Sequence, residues 1–359
     1  MVFERVFYAI GGFMKTIARY KLALFVSFII FMITCILLLN VNFEEKWVLI
    51  SQHACFSPRD SAAGFKFNSK LWLSSGYVSS DKEGLRDLFV SSDDGISWSV
   101  VLQDIPYKPY SPIVVKDGKS WAVFDKVWYS NDGFKWFKIS ESTPWHNFVI
   151  GDLVVFKDFL VYTVDGFLWR SKDGKKWEKY TLPFVKYAGQ LVVFKKKILY
   201  VGGALVEKDG KHDSGGVYKN YSTTDASIWA SDDCINWELI ASNPGWEPRM
   251  WPGVIVHKNM LWLYGGFSNL KRKNFNDLWY SKDGINWKYR AIISDDPNPS
   301  PRHASTIYST KHGILLVAGN SWPVLNDVWL YKRFFFIEAF GRKVYFKQII
   351  DRISRILKA

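Results

Sequence analysis

Cysteine is scarce, at three in 359 residues. Cys35 lies within an apolar run, so Cys55 and Cys234 are the only possible intrachain pair in an oxidising compartment, and a multi-bridge scaffold is excluded. Ligand spacing is missing too: the six histidines, at 53, 146, 212, 257, 303 and 312, show none, so neither a metal nor a cofactor is expected. Basic charge is missing from the middle of the chain. Residues 1–21 carry four basic residues against Glu4, and residues 332–359 carry eight against two acidic; together these tails hold most of the net charge of +13. A nucleic-acid surface concentrates its basic residues on a folded face, so no nucleic-acid partner is expected.

Charge is absent altogether from Leu22 to Val41, a 20-residue run rich in Leu, Ile and Phe. That length crosses a hydrocarbon core of about 30 Å. The run exceeds the apolar core of a signal peptide, and Asn40-Val41-Asn42-Phe43 lacks the small residues of a cleavage site. Basic residues precede it and Glu44 and Glu45 follow, so the positive-inside bias places the N-terminus in the cytoplasm and the remainder outside it, periplasmic or extracellular. The reading is a single-pass signal-anchor, with 1–21 a cytoplasmic basic tail, 22–41 the membrane helix and 42–46 a short linker.

Tryptophan is abundant, at 18 residues, because a repeat requires it. The heptapeptide S-x-D-G-x-x-W occurs at Ser92–Trp98, Ser130–Trp136, Ser171–Trp177 and Ser281–Trp287, and a fifth copy, Ser231–Trp237, has Cys234 in place of the glycine. Each copy sits between two short strand-like runs, and Asp-Gly between such runs signals a hairpin. Two more strands lie upstream of each, as in Val254-Ile255-Val256 and Leu261-Trp262-Leu263-Tyr264 before Gly265-Gly266. Four antiparallel strands per unit make a propeller blade. A sixth unit starts at Pro301-Arg302 and stops after Asp327-Val328-Trp329-Leu330 without its outer strand; Trp47-Val48-Leu49-Ile50, 51 residues before Trp98, supplies that strand and closes the ring.

The expected fold is therefore all-β: a six-bladed propeller of four-stranded antiparallel blades over residues 47–333, with a transmembrane helix before it and a basic amphipathic helix within 334–359. Through Gly-Gly after the second strand and Pro-Arg before the first, the chain resembles the kelch-repeat propellers; through S-x-D-G-x-x-W it is similar to the Asp-box proteins. The resemblance covers roughly residues 47–333 and implies the fold. It leaves function open, because such propellers include glycosidases, copper oxidases, sugar epimerases and binding scaffolds. A sialidase resemblance would imply an arginine triad with a Tyr/Glu nucleophile pair and an Asp acid, but no Arg-Ile-Pro signature lies near the first blade. A copper oxidase would need grouped His and Tyr ligands.

In a propeller the loops crossing between blades share one face with the loops joining second and third strands, and the heptapeptide turns lie on the other. Cys55 falls on a crossing loop and Cys234 on a heptapeptide turn, so no disulfide is expected. Arg59, Arg249 and Arg302 each precede a second-strand residue, Trp72, Trp262 and Leu315, by 13. Together with Trp246, Trp251 and Trp322 they form the candidate ligand site. Guanidinium forks suit acidic groups and aromatic faces stack on sugars; alternatively each arginine salt-bridges within the repeat. Asp60 and Glu247 are candidate general acids if burial raises their pKa. The leading expectation is a non-catalytic module that binds a glycan or protein ligand bearing acidic groups, with a carbohydrate-active enzyme, hydrolase or epimerase, as the alternative. Residues 344–359, with Phe346, Ile349, Ile350, Ile353 and Leu357 on one side and Lys347, Arg352, Arg355 and Lys358 on the other, read as a helix on membrane lipid or packed on the propeller.

Overall fold

The computed structural model describes residues 41–345 apart from 79, 81–82, 146–150, 207–220, 292–296 and 340–341, together with Tyr20, Leu24, Ser27, Phe28 and Lys347. Lys46–Lys332 form one compact unit, and Met1–Glu45 with Arg333–Ala359 a second.

The larger unit is an all-β six-bladed propeller. Blade one contains Ala63–Phe67, Lys70–Ser74, Leu88–Ser91 and Ser99–Leu102 in sequence order, each antiparallel to the next. Blades two to five repeat the pattern, their inner strands being Ile113–Lys116, Asp152–Phe156, Gln190–Phe194 and Gly253–His257. Blade six contains Thr306–Ser309, Ile314–Asn320 and Val324–Ala339, and its outer strand is Val41–Ser51 from the other end of the chain. Closure by the Trp47 segment is thus as the repeat spacing predicts, although the strand begins at Val41 and takes in the expected linker 42–46.

The heptapeptide turns explain their own residues. Ser130 Oγ accepts the Gly133 N–H at 2.8 Å, and Asp132 Oδ1 accepts those of Phe134 and Lys135 at 2.8 Å. The Lys135 amide foremost, then that of Phe134, holds the Asp132 carboxyl below its ordinary value against burial. Glycine is required because the chain turns through positive φ there, 86° at Gly133, and because a Cβ would run into the Trp72 ring of the preceding blade. Cys234 takes the same conformation, φ 71°, facing a blade whose corresponding second-strand residue is Val161 rather than a tryptophan. In the first turn the hydroxyl role belongs to Ser91, whose Oγ accepts the Gly95 N–H at 2.9 Å, and not to Ser92 as the motif alignment had it. The strand Leu88–Ser91 buries Ser91, and one extra residue is absorbed before the glycine.

The core is divided among the gaps between blades: among the described residues six hydrophobic clusters each join neighbouring blades, the one between blades two and three also taking in Tyr187 of blade four. The turn tryptophans enter these gaps; Trp98, Trp177 and Trp287 each donate an indole N–H to the glycine carbonyl of their own turn at 3.2 Å. Trp47 occupies the same position between blades five and six, with ring centroids 5.3 Å from both Tyr264 and Tyr331. No heptapeptide turn precedes it, and its Nε1 has no acceptor among the described residues.

In the smaller unit, Glu44 accepts hydrogen bonds from Lys343 Nζ at 2.7 Å and the Tyr345 hydroxyl at 2.8 Å, and Arg333 pairs with Glu45 at 2.7 Å. Arg342–Tyr345 pairs antiparallel with the end of Val324–Ala339, so residues 334–339 and 342–345 are strand and not the helix expected within 334–359. The run Arg333-Phe334-Phe335-Phe336-Ile337 has strong β preference, and its alternation sets Phe334 and Phe336 against Tyr345 at 6.1 and 5.9 Å. The remainder of the helix 344–359 lies outside the described residues except for Lys347. Of the span Leu22–Val41, Leu24, Ser27 and Phe28 are helical and Val41 opens a strand, the rest lying outside the described residues. Among the described residues no helix is long and apolar enough to cross a membrane.

Candidate functional site

Four successive blades build one face around a buried cation. Arg59 Nε donates to the Ser57 carbonyl, Nη1 to the Ser75 carbonyl at 2.8 Å, and the fork Nη1/Nη2 grips Asp87 at 2.5 and 2.8 Å. Arg249 repeats this on Glu247, Gly265 and Asp277, and Arg302 on Ser300, Ala318 and Asp327. All three side chains are fully buried. Bidentate geometry and complete burial make each arginine a pin within its blade. The guanidinium donors expected to grip a ligand's acid are spent on Asp87, Asp277 and Asp327, each within its own blade.

Blade four carries the same pin as a lysine. Lys186 Nζ pairs with Asp225 at 2.5 Å and reaches the Gly202 carbonyl, 16 residues on, as the arginines reach theirs. It precedes Leu199 by 13, the spacing shared by the arginines, so its role was readable once the register was not restricted to guanidinium. The pins also crowd the glycines after the second strand, beside the Asp60 and Met250 carbonyl oxygens and Ser305 Oγ, which lie closer still. Ideal Cβ atoms on Gly76, Gly266 and Gly319 would lie 3.1–3.2 Å from the stems of Arg59, Arg249 and Arg302.

On this frame the residue after each cation is held by backbone pairing. Asp60 bridges to Tyr77, Met250 to Phe267 and His303 to Asn320, and Tyr187 pairs with Ala204. The next residues link blade to blade: Trp251 N–H donates to the Ala188 carbonyl at 2.7 Å, Ala304 to Trp251 at 3.0 Å and Ser61 to Ala304 at 2.9 Å.

The rigid edge gathers an aromatic and polar cluster. The His303 ring lies between Trp251 and Trp322, with centroids 5.2 and 5.0 Å away, and Phe267 lies 5.1 Å from Trp322. Trp322 is 59% exposed. Asn320 is the hub: its Oδ1 accepts the Trp322 N–H at 2.9 Å, its Nδ2 donates to Asp60 Oδ2 at 2.7 Å, and its carbonyl accepts Asn274 Nδ2 at 2.9 Å. That last bond fixes the Asn274 amide, so its Oδ1 faces His303 Nδ1 at 2.8 Å. Nδ1 therefore carries the proton and Nε2 the lone pair. Burial lowers His303 to about 4, so the ring is neutral at physiological pH. Burial likewise lifts the Asp60 carboxyl to about 6, against hydrogen bonds from Asn320 and Ser61 that lower it.

Of the expected site residues the structure brings Trp251 and Trp322 together around His303. Trp246 is buried in the core between blades four and five, edge-on to Trp287 at 6.1 Å. Glu247 pairs with Lys271 at 2.6 Å on the surface. His303, Asn274, Asn320 and Phe267 were not singled out as ligand contacts, because loops from two blades bring them together. Cys55 donates to the Trp98 carbonyl at 2.9 Å and Cys234 is buried, both thiols being free. Among the described residues no three His, Cys, Asp or Glu side chains are grouped to hold a metal. The sequence matches no protein-family model and no curated protein.

Proposed function

We propose that this chain is a membrane-tethered propeller that binds a glycan outside the cytoplasm, with Leu22–Val41 as its anchor and the basic segment after Tyr345 as a further lipid contact. A propeller is a frame suited to binding or scaffolding, and one observation carries the finer reading. Trp322 stands 59% exposed beside Trp251 and His303, on a loop secured by Asn320 and backed by the pinned blades. An exposed tryptophan beside hydrogen-bonding groups suits a ligand with one apolar face and polar edges, which a sugar ring has. An acidic ligand held by Arg59, Arg249 and Arg302 has lost its basis, since their donors are engaged within the blades.

The test is binding of the full-length protein to immobilised oligosaccharides, with Trp322→Ala as the variant. Loss of binding without change in melting temperature is expected; undiminished binding by the variant removes the site. The anchor is tested separately: the protein is expected to stay in the membrane fraction through alkaline carbonate extraction, and release by carbonate removes the tether.

Asp60 favours a second reading. A carboxyl lifted to about 6 within the same cluster is poised as a general acid, as a carbohydrate-active enzyme requires. Turnover of a bound sugar that disappears in Asp60→Asn would replace the binding reading with this one.

A further inference from the structure

Within the cluster the donors and acceptors are unequally used. The Asn320 amide donates to Asp60, the Asn274 amide to Asn320, and the Trp322 backbone N–H to Asn320 Oδ1. Two nearby cations are also engaged, Arg302 on Asp327 and Lys271 on Glu247. His303 is different: Nδ1–H donates to Asn274, and Nε2 has neither a partner among the described residues nor a place among the sealed, unpartnered polar atoms. It is an acceptor without a donor, held between two tryptophans. The indole N–H groups of Trp251 and Trp322 likewise have no partner among the described residues, and they carry no charge.

We infer that the site takes an uncharged ring bearing hydroxyl groups, a neutral sugar residue, which stacks on Trp322 and donates a hydroxyl hydrogen bond to His303 Nε2. This rests on the glycan reading above and narrows it to the neutral class. A carboxylate or sulfate would bring only acceptors to a histidine that is itself an acceptor, and would surrender its hydration there without gaining a hydrogen bond from the ring. A sugar hydroxyl supplies the missing donor and can accept from an indole. His303 is thereby the specificity-determining residue. Asn274 and Asn320 are positioning residues, the first fixing the histidine tautomer and the second fixing Asn274 and the Trp322 loop.

The full-length protein in detergent is exposed to an array of neutral oligosaccharides (cellohexaose, chitohexaose, mannohexaose and lactose) and carboxylated ones (trigalacturonate and sialyllactose). Binding to one or more neutral sugars and to neither carboxylated sugar is expected. His303→Phe keeps the ring and removes the acceptor, and affinity should fall about tenfold, the upper end of one hydrogen bond. His303→Gln restores both a donor to Asn274 and an acceptor, and should recover part of the loss, which a purely structural role would not predict. Preference for the carboxylated sugars, or unchanged affinity in a folded His303→Phe, overturns the inference while Trp322 dependence leaves the glycan site standing. If no sugar binds, or Trp322→Ala binds as well as the wild type, the glycan site fails and this inference with it. Should His303→Phe not fold, the ratio of neutral to carboxylated binding by the wild-type protein decides.

Discussion

Replacing Trp47 by alanine probes the closure of the ring. The side chain is fully buried between blades five and six, against Tyr264 and Tyr331. Because Nε1 has no acceptor, the loss is one of packing alone. Truncating a buried tryptophan to alanine costs about 3–5 kcal/mol. At roughly 2.1 cal/mol/K per residue over Lys46–Lys332, the unfolding entropy is about 0.6 kcal/mol/K, so the melting temperature should fall by about 5–8 °C. Trp287→Ala is the internal standard. It empties the corresponding position one gap away and also removes the bond to the Gly284 carbonyl, so it should cost about 1 kcal/mol more. Thermal unfolding of the full-length protein by circular dichroism measures both. A Trp47→Ala variant that melts with the wild type, beside a Trp287→Ala variant that loses the full amount, would show that the N-terminal strand does not close blade six.

The remaining predictions concern the pins and the buried carboxyl. Arg302→Met, Arg59→Met and Arg249→Met each leave an aspartate without its cation, and denaturant titration should show a loss of about 3–5 kcal/mol for the most buried pair. Arg302 should cost most, because Asp327 is only 6% exposed while Asp87 and Asp277 are 19% and 21% exposed; three variants with wild-type midpoints would return the arginines to a ligand role. Asp60 lies above its ordinary 3.8, at about 6, so the folded protein holds this proton more tightly than the unfolded chain does. That contribution is complete below 3.8 and disappears as pH rises through 6. Asp60→Asn cannot ionise and still offers Asn320 an acceptor, so its stability relative to wild type should rise between pH 4 and 7 by up to about 3 kcal/mol; a difference that does not change with pH refutes the buried proton.

The architecture was legible because the repeat is written in residues whose positions accept few substitutes, Cys234 for glycine being one. Glycine at the heptapeptide turn, the serine and aspartate that fill the turn's donors and the tryptophan that enters the interblade gap recur at fixed spacing, and Trp47 announces the closing strand by lying one period before Trp98. Ser91 shows the limit of alignment: Ser92 fits the motif, but pleat alternation buries Ser91 and gives it the hydrogen bond. The strands of 334–339 and 342–345 were missed because the basic apolar segment after them satisfies helical spacing, while the aromatic run 334–336 obeys a period of two. The cluster at His303 was illegible for another reason. Asn274 and Asn320 end strands of different blades, His303 lies on a crossing loop, and no periodicity relates them.

The arginine register was visible, and its meaning was not. Three arginines at a common spacing suit either a shared anion site or a repeated internal pin, and the outcome depends on whether each blade supplies its own aspartate in reach of the fork. Asp87 and Asp277 do so just before a third strand and Asp327 within one, as Asp225 does for Lys186 near its own. Once the cation is fixed, the residue after it is held by backbone pairing whatever its side chain, which is why Asp60, Tyr187, Met250 and His303 can differ at equivalent places. The following residue joins the chain of blade-to-blade bonds through its backbone alone, so that serine, alanine and tryptophan all serve there. Positions whose structural duty falls on the main chain are free to carry ligand chemistry on the side chain. Trp251 and His303 occupy two such positions in adjacent blades, and the charge that once seemed to define the site is instead what holds them still.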